Sequence, residues 1–252
     1  MRDKGTITVY WSPANFIDDY ETSKYMLYAD PEPLNKSIAV KSNSDGSMKK
    51  CPAVKDLFYN IYSVSATMSE HFEFSQGQLE SLTKFKGIKE EALVDMGKTS
   101  LALARDYDYR GYVNLSYGMS WLFFSDEPLE ARFTSPWFPP TSPAAGSMLT
   151  AGKFNIGEWL RPFNLEYLIP VESEQFNIRS GDPLFFLELL TNKKIIFKKF
   201  RTTSKIKNMS REMIEYTGKY KTRKSLSYRY NLARSVRFQK IIIDEIKRNL
   251  LD

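Results

Sequence analysis

The sequence predicts a mainly β fold, a sandwich or barrel of short antiparallel strands, carrying a basic α-helical appendage at its C-terminal end. Three observations predict it. Short runs rich in Val, Ile, Tyr, Phe and Thr recur between turn residues along most of the chain, the pattern of sandwiches and barrels. Aromatic residues make up 14% of the 252 residues, and such side chains favour pleated, half-buried surfaces. From about residue 203 the apolar spacing lengthens from two to between three and four, the period of a helix. The division expected is a β-rich body over 1–203 and a basic helical segment over 204–252.

The elements follow in order. Thr6–Trp11 alternates and is β-branched, so it reads as a strand that Ser12-Pro-Ala-Asn15 breaks. Residues 30–35 hold two prolines and read as an extended connector, since a proline disfavours helix in the residue before it. Ser37–Lys41 reads as a short strand and Ser42–Ser47, with its Asp-Gly turn, as a loop. A short helix is expected to open at Cys51-Pro. Tyr59–Ala66 and His71–Phe74 alternate as strands, while Leu93–Met96 fits strand or helix. Tyr112–Leu115, Ser120–Phe124 and Leu129–Phe133 are successive strands. Ser135–Pro143 contains four prolines, which remove ladder donors, and reads as a rigid loop. Strands are expected again at Phe154–Ile156, Phe163–Ile169, Gln175–Ile178, Leu184–Leu190 and Ile195–Phe200. Ile206, Met209, Met213 and Tyr216 then mark one helix. After a break at Gly218–Lys224, Leu232, Val236, Ile243, Ile246 and Leu250 mark a longer one over Ser225–Leu250, with Arg234, Arg237, Lys240 and Lys247 largely off that stripe.

Composition removes several kinds of chemistry. The single cysteine, Cys51, excludes an intrachain disulfide and suits a reducing compartment. With one histidine, His71, a zinc site of several His and Cys ligands cannot be built, and His71 itself reads as a polar strand-edge residue. Walker and dinucleotide loops and a Gly-x-Ser-x-Gly elbow are absent, so no cofactor and no bound metal are expected. No stretch approaches the ~18–20 apolar residues that span a bilayer, and no apolar run follows Met1-Arg-Asp-Lys-Gly5 as in a signal peptide. Acidic pairs stand at Asp18/Asp19, Asp106/Asp108, Asp126/Glu127 and Glu172/Glu174. Two residues apart on a strand, two carboxylates share a face, which suits acid–base work, although Asp106-Tyr-Asp-Tyr-Arg110 reads better as a solvent-facing turn.

Charge is the strongest functional signal. Of 36 Lys/Arg and 30 Asp/Glu, 18 and 5 fall in residues 193–252, so that segment carries +13 and the remainder −7. Such asymmetry points to an anionic partner for the basic part, either a separate molecule or the acidic body of this chain or of a neighbouring subunit. The groups that would meet it are Lys198, Lys199, Arg201, Lys205, Lys207, Lys221, Arg223, Lys224, Arg229, Arg234 and Arg237. Tyr216, Tyr220, Tyr228 and Tyr230 are interleaved with them, and cations with aromatic rings are the composition of single-strand and RNA contact surfaces.

The middle of the chain resembles a family of uncharacterised proteins of tailed phages and some bacteria. The resemblance rests on Leu27-Tyr-Ala-Asp-Pro-Glu-Pro-Leu34, Lys50-Cys-Pro-Ala-Val-Lys-Asp56, Phe123–Pro136, Lys153-Phe-Asn-Ile-Gly-Glu-Trp-Leu-Arg-Pro162 and Phe176-Asn-Ile-Arg-Ser-Gly-Asp-Pro-Leu-Phe185, taken in that order. It implies a viral origin and no mechanism. The order of Pro-rich loop, Gly-containing strands and an Ile-x-x-Gly-Asp lead-in at Ile178–Asp182 is also similar to deoxyuridine-triphosphatase-like β-barrels. Gly152-Lys-Phe-Asn-Ile156 departs from their uracil pocket, and their Gly-rich C-terminal phosphate loop has no counterpart, so this likeness implies a fold alone.

The expectation is therefore a non-enzymatic phage protein in the host cytoplasm that binds nucleic acid or an acidic host protein through its basic segment. Two alternatives stand beside it. One is a virion or assembly component, with Pro136-Trp-Phe-Pro-Pro140 as an interface anchor and the C-terminal helix as a homo-oligomer contact. The other is a nucleotide- or sugar-directed enzyme in a barrel mouth, using Asp106, Asp108, Glu158, Arg161 and Asp182.

Overall fold

The computed structural model describes residues 5–14, 28–39, 57–75, 78–81, 101–109, 111–138, 142–170, 172–214 and 226–251. The expected helix at Cys51, the Leu93–Met96 segment, Asp18/Asp19, Arg110 and the break at Gly218–Lys224 lie outside these residues.

Two sheets face each other across an aromatic core. The first contains β1 (Thr6–Pro13), β6 (Leu101–Tyr109), β7 (Tyr112–Ser125), β9 (Met148–Leu149), β11 (Pro162–Pro170) and β14 (Lys194–Lys199), in the order β14-β1-β7-β11-β9, with β6 paired to β7. The second runs β10 (Gly152–Asn155), β8 (Glu130–Thr134), β13 (Pro183–Leu189), β3 (Ile61–Ser65), β2 (Glu32–Pro33). A small third sheet places β4 (Glu70–Ser75) between β12 (Gln175–Ile178) and β5 (Gln78–Ser81). Among the described residues the sheets stay open, so the fold is a sandwich and not a closed barrel.

Alternation explains the layering. β8, β11 and β12 bury every second residue, so one face of each is committed to the core. Trp11, Trp121, Phe123, Phe163, Leu165 and Tyr167 of the first sheet meet Val64, Phe133, Phe185 and Leu187 of the second. β13 is buried from Leu184 to Leu187 on both faces, because its outward Phe186 is covered by Leu34, Phe58 and Phe138. β1 and β14 depart from the antiparallel expectation. They pair in parallel, from Thr6 opposite Lys194 to Trp11 opposite Lys199. β14 turns Ile195 and Phe197 toward the core, and the Phe197 ring meets Tyr62 edge-on at 4.7 Å.

The helical segment lies on the outer face of the first sheet. α2 (Ser204–Ile214) and α4 (Val236–Arg248) press Ile206, Met209, Ile242 and Ile246 onto Tyr10, Leu122, Phe124, Leu160 and Phe200. α3 (Leu226–Arg234) contributes Ala233 to a cluster with Trp159 and Met213. The chain after α4 returns to the sheet: Arg201 N–H donates to Asn249 at 2.7 Å and Leu251 N–H to Lys199 at 2.9 Å. No helix among the described residues is long and apolar enough to cross a membrane.

Several local expectations change. Ser37–Lys41 was expected as a strand, but its described residues belong to helix α1 (Leu34–Ala39), which starts directly after Pro33 and buries Leu34. Tyr112–Leu115 and Ser120–Phe124 are one 14-residue strand, β7. Asp106 and Asp108 lie on β6, a strand and not a turn. The long C-terminal helix is two, because Ser235 ends α3 and caps α4. Its backbone is extended, at φ −68° and ψ 129°, and its hydroxyl accepts from Phe238 N–H.

Candidate functional site

The helical layer presents a cationic outer surface. With Ile242 and Ile246 turned inward, the helical period places Arg237, Lys240, Asp244, Lys247 and Arg248 of α4 in solvent. Lys205 and Arg211 of α2, Arg234 of α3, and Lys198 and Arg201 at the end of β14 are also exposed. Acidic groups on the described helical surface are few. Glu245 is tied down by Thr203 Oγ1 at 2.9 Å and Lys205 Nζ at 3.2 Å. The Thr203 hydroxyl bond holds its carboxyl below the usual range, against burial, with help from Lys205.

Two of the expected anion-binding groups are turned away from solvent. Lys207 is 6% exposed and Arg229 is 5% exposed, with Arg229 donating to the Met213 carbonyl at 3.5 Å. Both follow the buried stripes of their helices. Lys199 is half-buried, with its ammonium 4.5 Å from the centre of the Trp11 ring and 3.7 Å from Asp30. Lys221, Arg223, Lys224, Tyr216 and Tyr220 lie outside the described residues, and Tyr228 is exposed. Lys240, Lys247 and Arg248 complete the surface. The first two already sat off the apolar stripe of the sequence.

Beside α3 this surface meets a cleft of about 510 Å³. Its scaffold is the Asn155–Gly157 turn. Asn155 Oδ1 accepts from Leu129 N–H at 2.9 Å and Gly157 N–H at 3.0 Å, which ties the turn to the β7–β8 connection. Gly157 is required there by space, since an added Cβ would stand 2.7 Å from the Glu127 carbonyl carbon and 2.8 Å from Pro128 Cα. Phe154, Trp159 and Phe163 line the cleft. Phe133 stacks nearly parallel to both Phe154 and Phe163, at 14° and 20°.

The cleft's charges are mostly engaged. Lys153 pairs with Glu130 at 2.7 Å and Arg234 with Glu158 at 3.2 Å. Glu166 accepts from Ser116 at 2.8 Å and Asn114 at 3.2 Å. Arg161 is exposed and makes no ion pair among the described residues. The structure thus joins Glu158 and Arg161, expected as chemical groups, to Arg234, expected as an anion binder. Sequence reasoning missed Phe154, Trp159 and Asn164 as cleft residues, although Gly157-Glu-Trp-Leu-Arg-Pro162 placed an aromatic between two charges.

The remaining candidates lie elsewhere. Asp182 closes the β12–β13 turn, accepting from Arg179 N–H at 3.2 Å. Asp126 accepts from Thr8 N–H at 3.1 Å and Glu127 from Lys193 at 2.6 Å, so that pair staples strands together. His71 is on the central strand of the small sheet, hydrogen-bonded to Asn177. Beside it Glu70 accepts from Tyr117, and burial pushes the Glu70 carboxyl up. Comparison with protein-family models, curated proteins and solved structures finds no match.

Proposed function

We propose that this chain is a non-enzymatic nucleic-acid-binding protein that presents its helical layer to the phosphate backbone. The observation that carries the reading is α4, whose inward stripe anchors it to the sheet while Arg237, Lys240, Lys247 and Arg248 face solvent with Asp244 as their only acidic companion on that stripe. A helix held rigidly by its apolar side loses little freedom when its cations meet phosphates. The phage origin implied by the resemblance and the host-cytoplasm location belong to the same reading. An acidic host protein is the competing partner.

The test is binding of the full chain to labelled single-stranded and duplex oligonucleotides between about 50 and about 200 mM salt. Affinity is expected to fall steeply with salt. Arg237→Gln, Lys240→Gln and Lys247→Gln together should flatten the log–log slope by about 2 for single strands, at about 0.7 per neutralised phosphate. No binding at low salt, or an unchanged slope, overturns the proposal. Removing the chain beyond Thr203 is a poorer test, because it would lay bare Tyr10, Leu122 and Phe124.

One observation favours assembly as a second reading. Trp137 is 39% exposed and stacks on Phe58 with ring centres 5.7 Å apart, the form of an aromatic interface anchor. Mass spectrometry of purified virions checks it, and absence of the chain from particles would end it.

A further inference from the structure

We infer that the cleft beside α3 receives one unpaired nucleobase, with its phosphate, from a strand lying across the helical layer; the inference rests on the nucleic-acid reading above. Continuity is the first argument. Arg234 belongs to both surfaces: it ends α3 on the cleft, and Ser235 then starts α4, where Arg237 opens the cationic stripe. A strand following those cations is led to the cleft mouth.

Size and lining are the second. The volume of about 510 Å³ falls in the ~300–1,000 Å³ range of small-molecule sites. Phe154 brings a partly exposed ring from a near-parallel aromatic stack, and every base offers a π face to such a ring. The exposed Asn164 amide offers both a donor and an acceptor to a base edge.

Charge is the third. Glu158 is neutralised by Arg234, Glu166 is occupied by Ser116 and Asn114, and Lys153 is held by Glu130. Arg161 is left, among the described cleft residues, as the cation available to a phosphate. A base inside a duplex cannot enter a cleft of this kind, so the site separates single strands from duplexes.

The test compares Arg161→Ala/Asn164→Ala in the full chain with the unmodified protein, on a single-stranded oligonucleotide and its duplex at one salt concentration. Both side chains are exposed, so the variant should fold, which its melting curve checks. Single-strand affinity is expected to fall about five- to twentyfold while duplex affinity stays within about twofold, on the scale of one lost phosphate contact and one lost base hydrogen bond. Wild-type single-strand affinity in the variant overturns the inference and leaves the nucleic-acid reading standing. Equal losses on both substrates overturn it too, since the cleft would then be only part of the electrostatic surface. Failure of the unmodified protein to bind either substrate overturns both readings.

Discussion

Gly157→Ala tests whether the cleft's scaffold is fixed by close backbone approach. The new methyl would collide with the Glu127 carbonyl and stand 2.8 Å from Pro128 Cα. These are main-chain atoms, so no side-chain rotation relieves the clash, and the turn must retreat. Overpacking of this kind costs about 1–3 kcal/mol. Retreat also weakens the bonds from Gly157 N–H to Asn155 at 3.0 Å and from Ser125 N–H to Ile156 at 3.2 Å. Each contributes about 1 kcal/mol net. The smaller entropy of an unfolded chain carrying Ala returns about 0.4–1 kcal/mol. The net loss is about 3 kcal/mol, and at about 2–4 °C per kcal/mol for a chain of this size the melting temperature should drop about 6–12 °C. Gly152→Ala is the control, because a Cβ there meets nothing within 4 Å. Thermal denaturation of both variants decides the matter. A Gly157→Ala protein melting within a degree of the parent would refute the steric account, as would equal losses in the two variants.

Further outcomes follow from polar groups. Burial raises the Glu70 carboxyl, so the folded protein holds that proton more tightly than the unfolded chain. Its effect on stability is most favourable below the usual carboxylate range and is lost as pH rises through the folded value. Glu70→Gln is therefore expected to melt higher than the parent at neutral pH and to lose that advantage near pH ~3, as melting curves across pH would show; a pH-independent difference would contradict the assignment. Ser235→Ala removes the cap of α4 and a hydroxyl bond to the Leu232 carbonyl at 2.8 Å. It should cost about 1 kcal/mol, with Ser235→Asn recovering most of the loss in urea denaturation.

The β body was legible because its signal is local. Gln175–Ile178 alternates in sequence and alternates in burial, and within β13 the apolar stretch Leu184–Leu187, before Glu188 interrupts it, is covered on both faces. Where the reading failed, the deciding interaction was tertiary. Ser37-Ile-Ala-Val-Lys41 is too short for its alternation to outweigh the anchoring of Leu34 under Phe58 and Phe186. Tyr112–Leu115 and Ser120–Phe124 read as separate strands, but both belong to β7, which has partners on both sides. The basic segment was legible as charge, yet composition does not say which cations a helix turns inward. Lys207 falls on the stripe of Ile206 and Ser210, and Arg229 turns inward to donate to the Met213 carbonyl, so both are buried. The cleft was the least legible part. Its walls come from β10, the turn after it, β11 and α3, and only folding assembles Phe154, Arg161 and Arg234 in one place.

The position of β1 constrains how the chain can be made. Its neighbours are β7 on one side and β14 on the other, more than a hundred residues downstream in the first case and nearly two hundred in the second. A ribosome therefore releases Thr6–Pro13, with Val9, Tyr10 and Trp11 destined for full burial, long before either partner has emerged. Closure of so wide a loop is slow, and an apolar strand left waiting is open to pairing with a second nascent chain. The productive route is for β7 and β11 to form their antiparallel ladder first and offer β1 an edge, with β14 and the helices sealing it last. Yield in the cell should accordingly respond to translation speed and chaperone supply more sharply than to the stability of the finished fold.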